Sequence, residues 1–295
     1  NTRTGAMWPN SGICGRPDHE LEEPSFLFRR SVFMTDTTQA SSPLSGNVLF
    51  YSQPEPLSAD VHGSLGVTPA DKPYAFVAQT HVVPLTVTEF APAALSYPVI
   101  FVGDAKQPVA AMGLNQGDNL FIENGDFRPD AYIPAYVRRY PFVFANDDEQ
   151  KRMVLCIDRA APFVVEGGET PLFENGQPSG YVNFGMEFCN NFEQERVRTE
   201  SFVNLLKELD LFEVREANFT PRNADGSAGA PQKIAEYFAV SEDKLKALPA
   251  EKLAELRDNG ALGQIYGHLV SLLGWDRLIA MALTRAAQQP AAANA

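Results

Sequence analysis

The apolar pattern of this 295-residue chain changes period once, and that change constrains the fold more than any single motif. Before about Ile157, short apolar runs alternate with turn residues; beyond the Gly- and Pro-rich stretch Gly167–Gly180, apolar residues recur at helical spacing. Short runs bounded by turns belong to strands, and recurrence at three and four residues belongs to helices laid on a core. Strands first and helices later predict an α+β fold, with a mainly antiparallel sheet in the first half and helices plus one hairpin in the second.

In the first half, Val48–Tyr51, Tyr74–Ala78, His81–Leu85 and Val99–Val102 read as strands. Thr86-Val-Thr-Glu89 has the spacing of a capping box, in which hydroxyl and carboxylate each satisfy a free backbone donor, so a short helix ending near Tyr97 is expected. Val109–Leu114 and Asn119–Ile122, joined by Asn115-Gln-Gly-Asp118, form the strongest hairpin signal. Phe142–Phe144 and Met153–Ile157 form a second. In the other half, Phe184, Phe188, Phe192, Val203, Leu206 and Leu209 lie on one stripe of a helix from about Val182 to Leu209. Phe212–Phe219 and Ile234–Val240 read as a hairpin. Ser241 caps a short helix, Pro249 starts another and Gly260 ends it. Leu262, Ile265, Tyr266, Leu269, Leu272 and Leu273 make a last stripe, bent at Gly274.

The expected organisation is a disordered tail over residues 1–46, one α+β domain over 47–285 and a low-complexity tail over 286–295. Residues 1–33 read as upstream sequence outside the native chain, with Met34 as the true start. No secretory signal is readable from Met34 onward, so a cytoplasmic location is expected, with the cell surface by a non-classical route as the alternative. The stretch Asn259–Trp275, free of Asp, Glu, Lys and Arg, is too short and too polar to span a bilayer.

Charge excludes whole classes of partner. With 24 Lys+Arg against 37 Asp+Glu the net charge is −13, which repels phosphate backbones and makes nucleic-acid binding an unfavourable reading. The three cysteines Cys14, Cys156 and Cys189 form no disulfide framework, and the scattered His19, His62, His81 and His268 form no metal signature, so neither cofactor nor metal is expected. There is no Gly-x-Gly-x-x-Gly, Walker A loop, Gly-x-Ser-x-Gly or His-Glu-x-x-His string.

One cluster of functional groups remains. In Tyr132-Ile-Pro-Ala-Tyr-Val-Arg-Arg-Tyr-Pro-Phe142, a helical turn opened by Pro134 would line Tyr132, Tyr136 and Tyr140 along one side. Arg138 and Arg139 would then point in adjacent directions. A guanidinium among aromatic rings receives carboxylate or phosphate by paired hydrogen bonds and stacking. The structural alternative is that both arginines pair with surplus carboxylates while the tyrosines pack in the core. His81, eight residues before Glu89, is a candidate for acid–base work or a hydrogen-bonded structural residue. The candidate ligand-binding set is Arg138, Arg139, Tyr136, Tyr140 and His81; no catalytic residue is identified.

Several strings in order resemble the bacterial SapC family: Thr80-His-Val-Val-Pro-Leu-Thr-Val-Thr-Glu-Phe90, Tyr97-Pro-Val-Ile-Phe101, Gly113-Leu-Asn-Gln-Gly-Asp-Asn-Leu-Phe121 and Tyr132 to Phe142. Leu155-Cys-Ile-Asp158, Arg198-Thr-Glu-Ser-Phe202, Leu209-Asp-Leu-Phe212 and Ile265-Tyr-Gly-His-Leu269 continue the resemblance, which spans about Asn47 to Arg285. It implies a link to bacterial surface layers or uptake, and no catalytic residue or cofactor. Two functions follow as expectations: a non-enzymatic accessory protein that binds a protein partner or small anionic ligand, or a small-molecule-binding enzyme with an Arg/Tyr/His pocket.

Overall fold

The computed structural model describes residues 31–32, 48–147, 152–221, 225 and 227–288. It has the expected α+β class. The main sheet runs Val82–Pro84, Gln107–Ala111, Val99–Val102, Gln232–Val240 and Phe212–Phe219 in spatial order, all antiparallel. Ser31–Val32 lies parallel to Ala235 and Glu236 on the Gln232–Val240 strand. A second sheet holds Pro54–Pro56, Arg152–Asp158 and Phe142–Asp147, and a third holds Val164–Glu166, Leu65–Val67 and Thr170–Pro171. The hairpins at 142–158 and 212–240 form as expected; residues 148–151 of the first turn, and the loop residues 222–224 and 226, lie outside the described residues.

The long helix Gly180–Glu208 joins two cores. Its first half lays Val182 and Cys189 over the second sheet with Phe142 and Leu172. Its second half puts Phe202, Val203 and Leu206 into the main core with Phe90, Phe101 and Leu211. Close approach in the first half depends on Gly185, where an added Cβ would fall 2.4 Å from the Phe142 ring. Because the helix changes support halfway, its buried side rotates, and the single stripe expected from Phe184 to Leu209 is not what packs. Phe184 is exposed and Phe188 half-buried; Phe192, Val203 and Leu206 are buried.

The helix Ala261–Ser271 is tied to the sheet by polar side chains. The main-sheet strands Val99–Val102 and Gln232–Val240 share one ladder pair, Phe101 with Phe238. Beyond it the buried imidazole of His268 stands between them: Val240 N–H donates to Nε2 at 3.0 Å, and Nδ1–H donates to the Val99 carbonyl at 2.8 Å. Ser271 Oγ accepts from Val99 N–H at 2.8 Å and donates to the His268 carbonyl. These bonds orient the helix so that Tyr266 and Leu273 of the expected apolar stripe face outward. The bend at Gly274 is present as a 3-10 turn before the last helix, Trp275–Gln288. That helix continues through residues 286–288; residues 289–295 lie outside the described residues, as do 1–30 and 33–47 of the leading segment.

Three strand expectations fail for local reasons. Val48–Tyr51 is a turn, because Phe50 takes a left-handed φ of 78° that lays its ring against Phe76 and Tyr136. Tyr74–Ala78 closes into a 3-10 turn over Ala75–Val77. The 109–122 hairpin does not form: Gln107–Ala111 pairs back with Val99–Val102, while the Asn115–Asp118 loop is held by Arg285, which donates to Asp118 Oδ1 and the Asn119 carbonyl at 2.8 and 2.9 Å. The helix that Ser241 precedes, Glu242–Lys246, forms without a side-chain cap; the Ser241 hydroxyl is bonded to Glu213 instead.

Candidate functional site

The Tyr132–Phe142 segment contains one helical turn set between two prolines. Pro134 accepts at its carbonyl from the Val137 and Arg138 amides, and Arg139 N–H donates to Ala135. Pro141 has no N–H with which to continue the helix, so the chain turns there, and the Arg139 carbonyl accepts from Phe142. Consecutive residues on a helix diverge by about 100°, which sends Arg138 outward and Arg139 inward.

Arg139 lies in an aromatic cage. Its guanidinium carbon is 4.0 Å from the Tyr136 ring centroid, 4.6 Å from that of Phe192 and 5.6 Å from that of Tyr51. Its Nε–H is buried and meets no acceptor. Stacking on ring faces supplies electrostatic attraction to the cation but does not supply an acceptor lone pair for that N–H. The charge is felt by its neighbours: burial pushes the Tyr51 and Tyr136 phenols up, and Arg139 pulls each partly back. Burial likewise lifts the Cys189 thiol to about 11, again with Arg139 opposing.

Arg138 is exposed and held at one edge. Its Nε–H donates to the Ile133 carbonyl at 3.0 Å and Nη2 to the Tyr132 hydroxyl at 3.3 Å, with the guanidinium carbon 5.3 Å from the Phe188 ring. Tyr132 in turn donates to Glu89 at 3.0 Å. Glu89 is buried and also accepts from Thr86 N–H, Thr86 Oγ1 and Ala135 N–H at 2.8, 2.8 and 2.6 Å. The expected capping box is therefore present, and its carboxylate reaches over to fix the arginine-bearing turn. Glu89 is committed to four donors, which removes it from the acid–base role paired with His81.

The five candidate residues do not converge on one point. Arg139 and Tyr136 touch; Arg138 shares their turn on its outer side. Tyr140 stacks on Phe76 at 4.2 Å and donates to Asp158 at 3.0 Å, so the three tyrosines do not line one side of the turn. His81 precedes the Val82–Pro84 strand, where its carbonyl accepts from the Met112 and Gly113 amides at 2.7 and 3.1 Å. Burial holds its imidazole below the ordinary range. The contacts of Arg138 and Arg139 run to residues 51, 132–136, 188 and 192 rather than to His81. The alternative in which surplus carboxylates neutralise the pair is also not what forms: no carboxylate among the described residues pairs with either guanidinium, although Arg196, close by on the long helix, pairs with both Glu193 and Glu200.

Tyr51, Phe188 and Phe192 complete the site and carry no signal in the sequence, where each reads as an ordinary core aromatic. Chemically the arrangement is a set of donors and rings. With burial pushing Tyr132 up to about 12 and Cys189 to about 11, the phenol and thiol stay protonated at neutral pH and can donate but not attack. Among the described residues no group of His, Cys, Asp and Glu is placed to hold a metal ion, and no helix is long and apolar enough to cross a membrane.

A family model described as SapC matches residues 57–278, most of the chain. No curated protein and no solved structure matches it.

Proposed function

The chain belongs to the SapC family, and from that premise we propose that it works by binding, as a non-enzymatic accessory protein in surface-layer assembly or nutrient uptake whose Arg138–Arg139 turn receives an anionic group. One observation carries this reading: in a chain of net charge −13, two adjacent guanidiniums stand without a carboxylate, one of them with a buried, unsatisfied Nε–H. Leaving a buried donor unpaired costs about 1–3 kcal/mol, and the chain has an excess of acids that could have paired it. A carboxylate or phosphate supplied from outside would remove that cost, which is the basis of selectivity for an anion over a neutral group.

The test is nitrogen-15 NMR of the arginine Nε–H resonances during titration with acetate, benzoate and inorganic phosphate in turn. The expected result is a saturable shift of the Arg139 signal with at least one of the three anions, weakened roughly tenfold by Arg138→Gln, a loss of about 1.4 kcal/mol. Arg138 is exposed, so this variant keeps the fold. Absence of any shift with all three anions, or shifts that Arg138→Gln leaves unchanged, overturns the reading.

A further inference from the structure

Outside the cage, the surface around Arg138 continues along the long helix. Phe184 is 66% exposed, and one turn later Phe188, half-buried, sits under Arg138; the two rings lie 6.4 Å apart at 40°. Aromatic and arginine side chains are the types enriched at protein interfaces, and an exposed phenylalanine beside a positioned guanidinium combines the two. Building on the anion-binding reading above, we propose that the anionic group arrives on a protein partner, as a single acidic side chain set among apolar ones, in a segment that lies along Phe184 and Phe188 with its carboxylate on Arg138.

Three features select that occupant. Arg138 commits two of its five N–H donors, to Ile133 and Tyr132, so the others are already aimed by the fold and little ordering remains on binding. A small free anion gains only the contact with the arginines, whereas a segment that also covers Phe184 adds roughly a hundredfold in affinity from apolar burial. The chain carries a net charge of −13, whose repulsion disfavours a partner rich in acids, so one carboxylate within an apolar stretch fits where a polyanion does not.

The experiment places p-benzoylphenylalanine at position 184 of the full chain, expressed in the organism it comes from, irradiates the living cells and maps the cross-linked peptide by mass spectrometry. The same reagent at Val214, exposed on the outer strand of the main sheet, is the control. The expected result is an adduct absent from the control, joined to a segment of another protein that carries Asp or Glu among apolar residues, with its yield cut at least fivefold by Arg138→Gln. No adduct above the control, a segment without an acid, a second copy of this chain, or a yield indifferent to Arg138→Gln each overturns the proposal. If the Arg139 Nε–H still responds to small anions, only the partner assignment falls; if it is silent as well, the binding reading falls with it.

Discussion

His268 makes folding stability depend on pH in a window that can be worked from its contacts. Val240 N–H can only donate, so Nε2 must accept and the proton sits on Nδ1, facing the Val99 carbonyl. Protonating Nε2 turns an acceptor into a donor aimed at another donor, in a site with no solvent. Burial, with Arg215 adding in the same direction and the Val99 hydrogen bond opposing, lowers the imidazole pKa from 6.5 to about 4. The unfolded chain thus binds this proton between about pH 6.5 and pH 4 while the folded chain does not, and stability falls as pH falls through that window. At about 1.4 kcal/mol per pH unit, the loss is about 2 kcal/mol by pH 5 and about 3 kcal/mol by pH 4. Urea unfolding followed by circular dichroism at pH 7, 6, 5 and 4 measures it, with His268→Gln as reference. The variant keeps an amide donor and acceptor but has nothing to titrate. It should be less stable than the parent at pH 7, by about 1–3 kcal/mol for imperfect hydrogen bonding, and its curve should lie flatter than the parent's on acidification. Carboxylates titrate in both proteins and cancel in the difference. Parallel curves for the two proteins would refute the tautomer and the role of the imidazole as a rung between strands.

Three further outcomes are expected. Glu89→Gln replaces an acceptor of four hydrogen bonds with a group that must donate at one side; a loss of about 2–4 kcal/mol in urea unfolding is expected, and a change under about 0.5 kcal/mol would show that the carboxylate does not hold the turn. Gly185→Ala should lower stability although alanine favours helix by about 1 kcal/mol, because its Cβ meets a buried Phe142 ring at 2.4 Å and overpacking costs about 1–3 kcal/mol; a raised melting temperature would contradict the packing. Cys156 and Cys189, both buried with thiols pushed up to about 11, should react with a thiol reagent at pH 8 only as fast as the protein opens, so native and urea-unfolded samples should differ greatly in rate; equal rates would mean exposed thiols.

What could be seen in the sequence was whatever depended on neighbours in the chain. The Thr86–Glu89 box, the 142–158 and 212–240 hairpins and the long helix all follow from local spacing, and all are present. Failures occur where a distant partner decides. Gly-containing Asn115–Asp118 looks like a hairpin turn, yet the turn used is Gly103–Lys106, in which Lys106 takes a φ of 59° that no residue preference announces. The candidate site divides the same way. Both arginines and Tyr136 stand within four residues and were visible as a cluster. Tyr51 and Phe192, which close the cage, come from positions 85 and 56 residues away from Tyr136, with side chains that belong equally well in a core. The His81–Glu89 pairing shows the converse: closeness in sequence does not reserve Glu89, which accepts from Thr86, Tyr132 and Ala135.

The proposed binding role of the arginine turn has an energetic basis. A partly buried guanidinium is ordinarily paired with a carboxylate, since removing charge from water is costly, and this chain has acids to spare. Aromatic faces offset part of that cost, at about 2 kcal/mol for a well-desolvated contact, but they cannot accept the Nε–H. A structural role would have been served as well by methionine or leucine between Tyr51, Tyr136 and Phe192, with no charge to desolvate. Glu89, meanwhile, fixes the same turn from its other side through Tyr132 and Ala135, while Arg138 adds bonds to Ile133 and Tyr132. On the proposed reading, a guanidinium that the fold positions but does not neutralise receives an anion from outside. That separation, with Glu89 holding the turn and neither arginine paired with a carboxylate, is what the proposed receptor role requires.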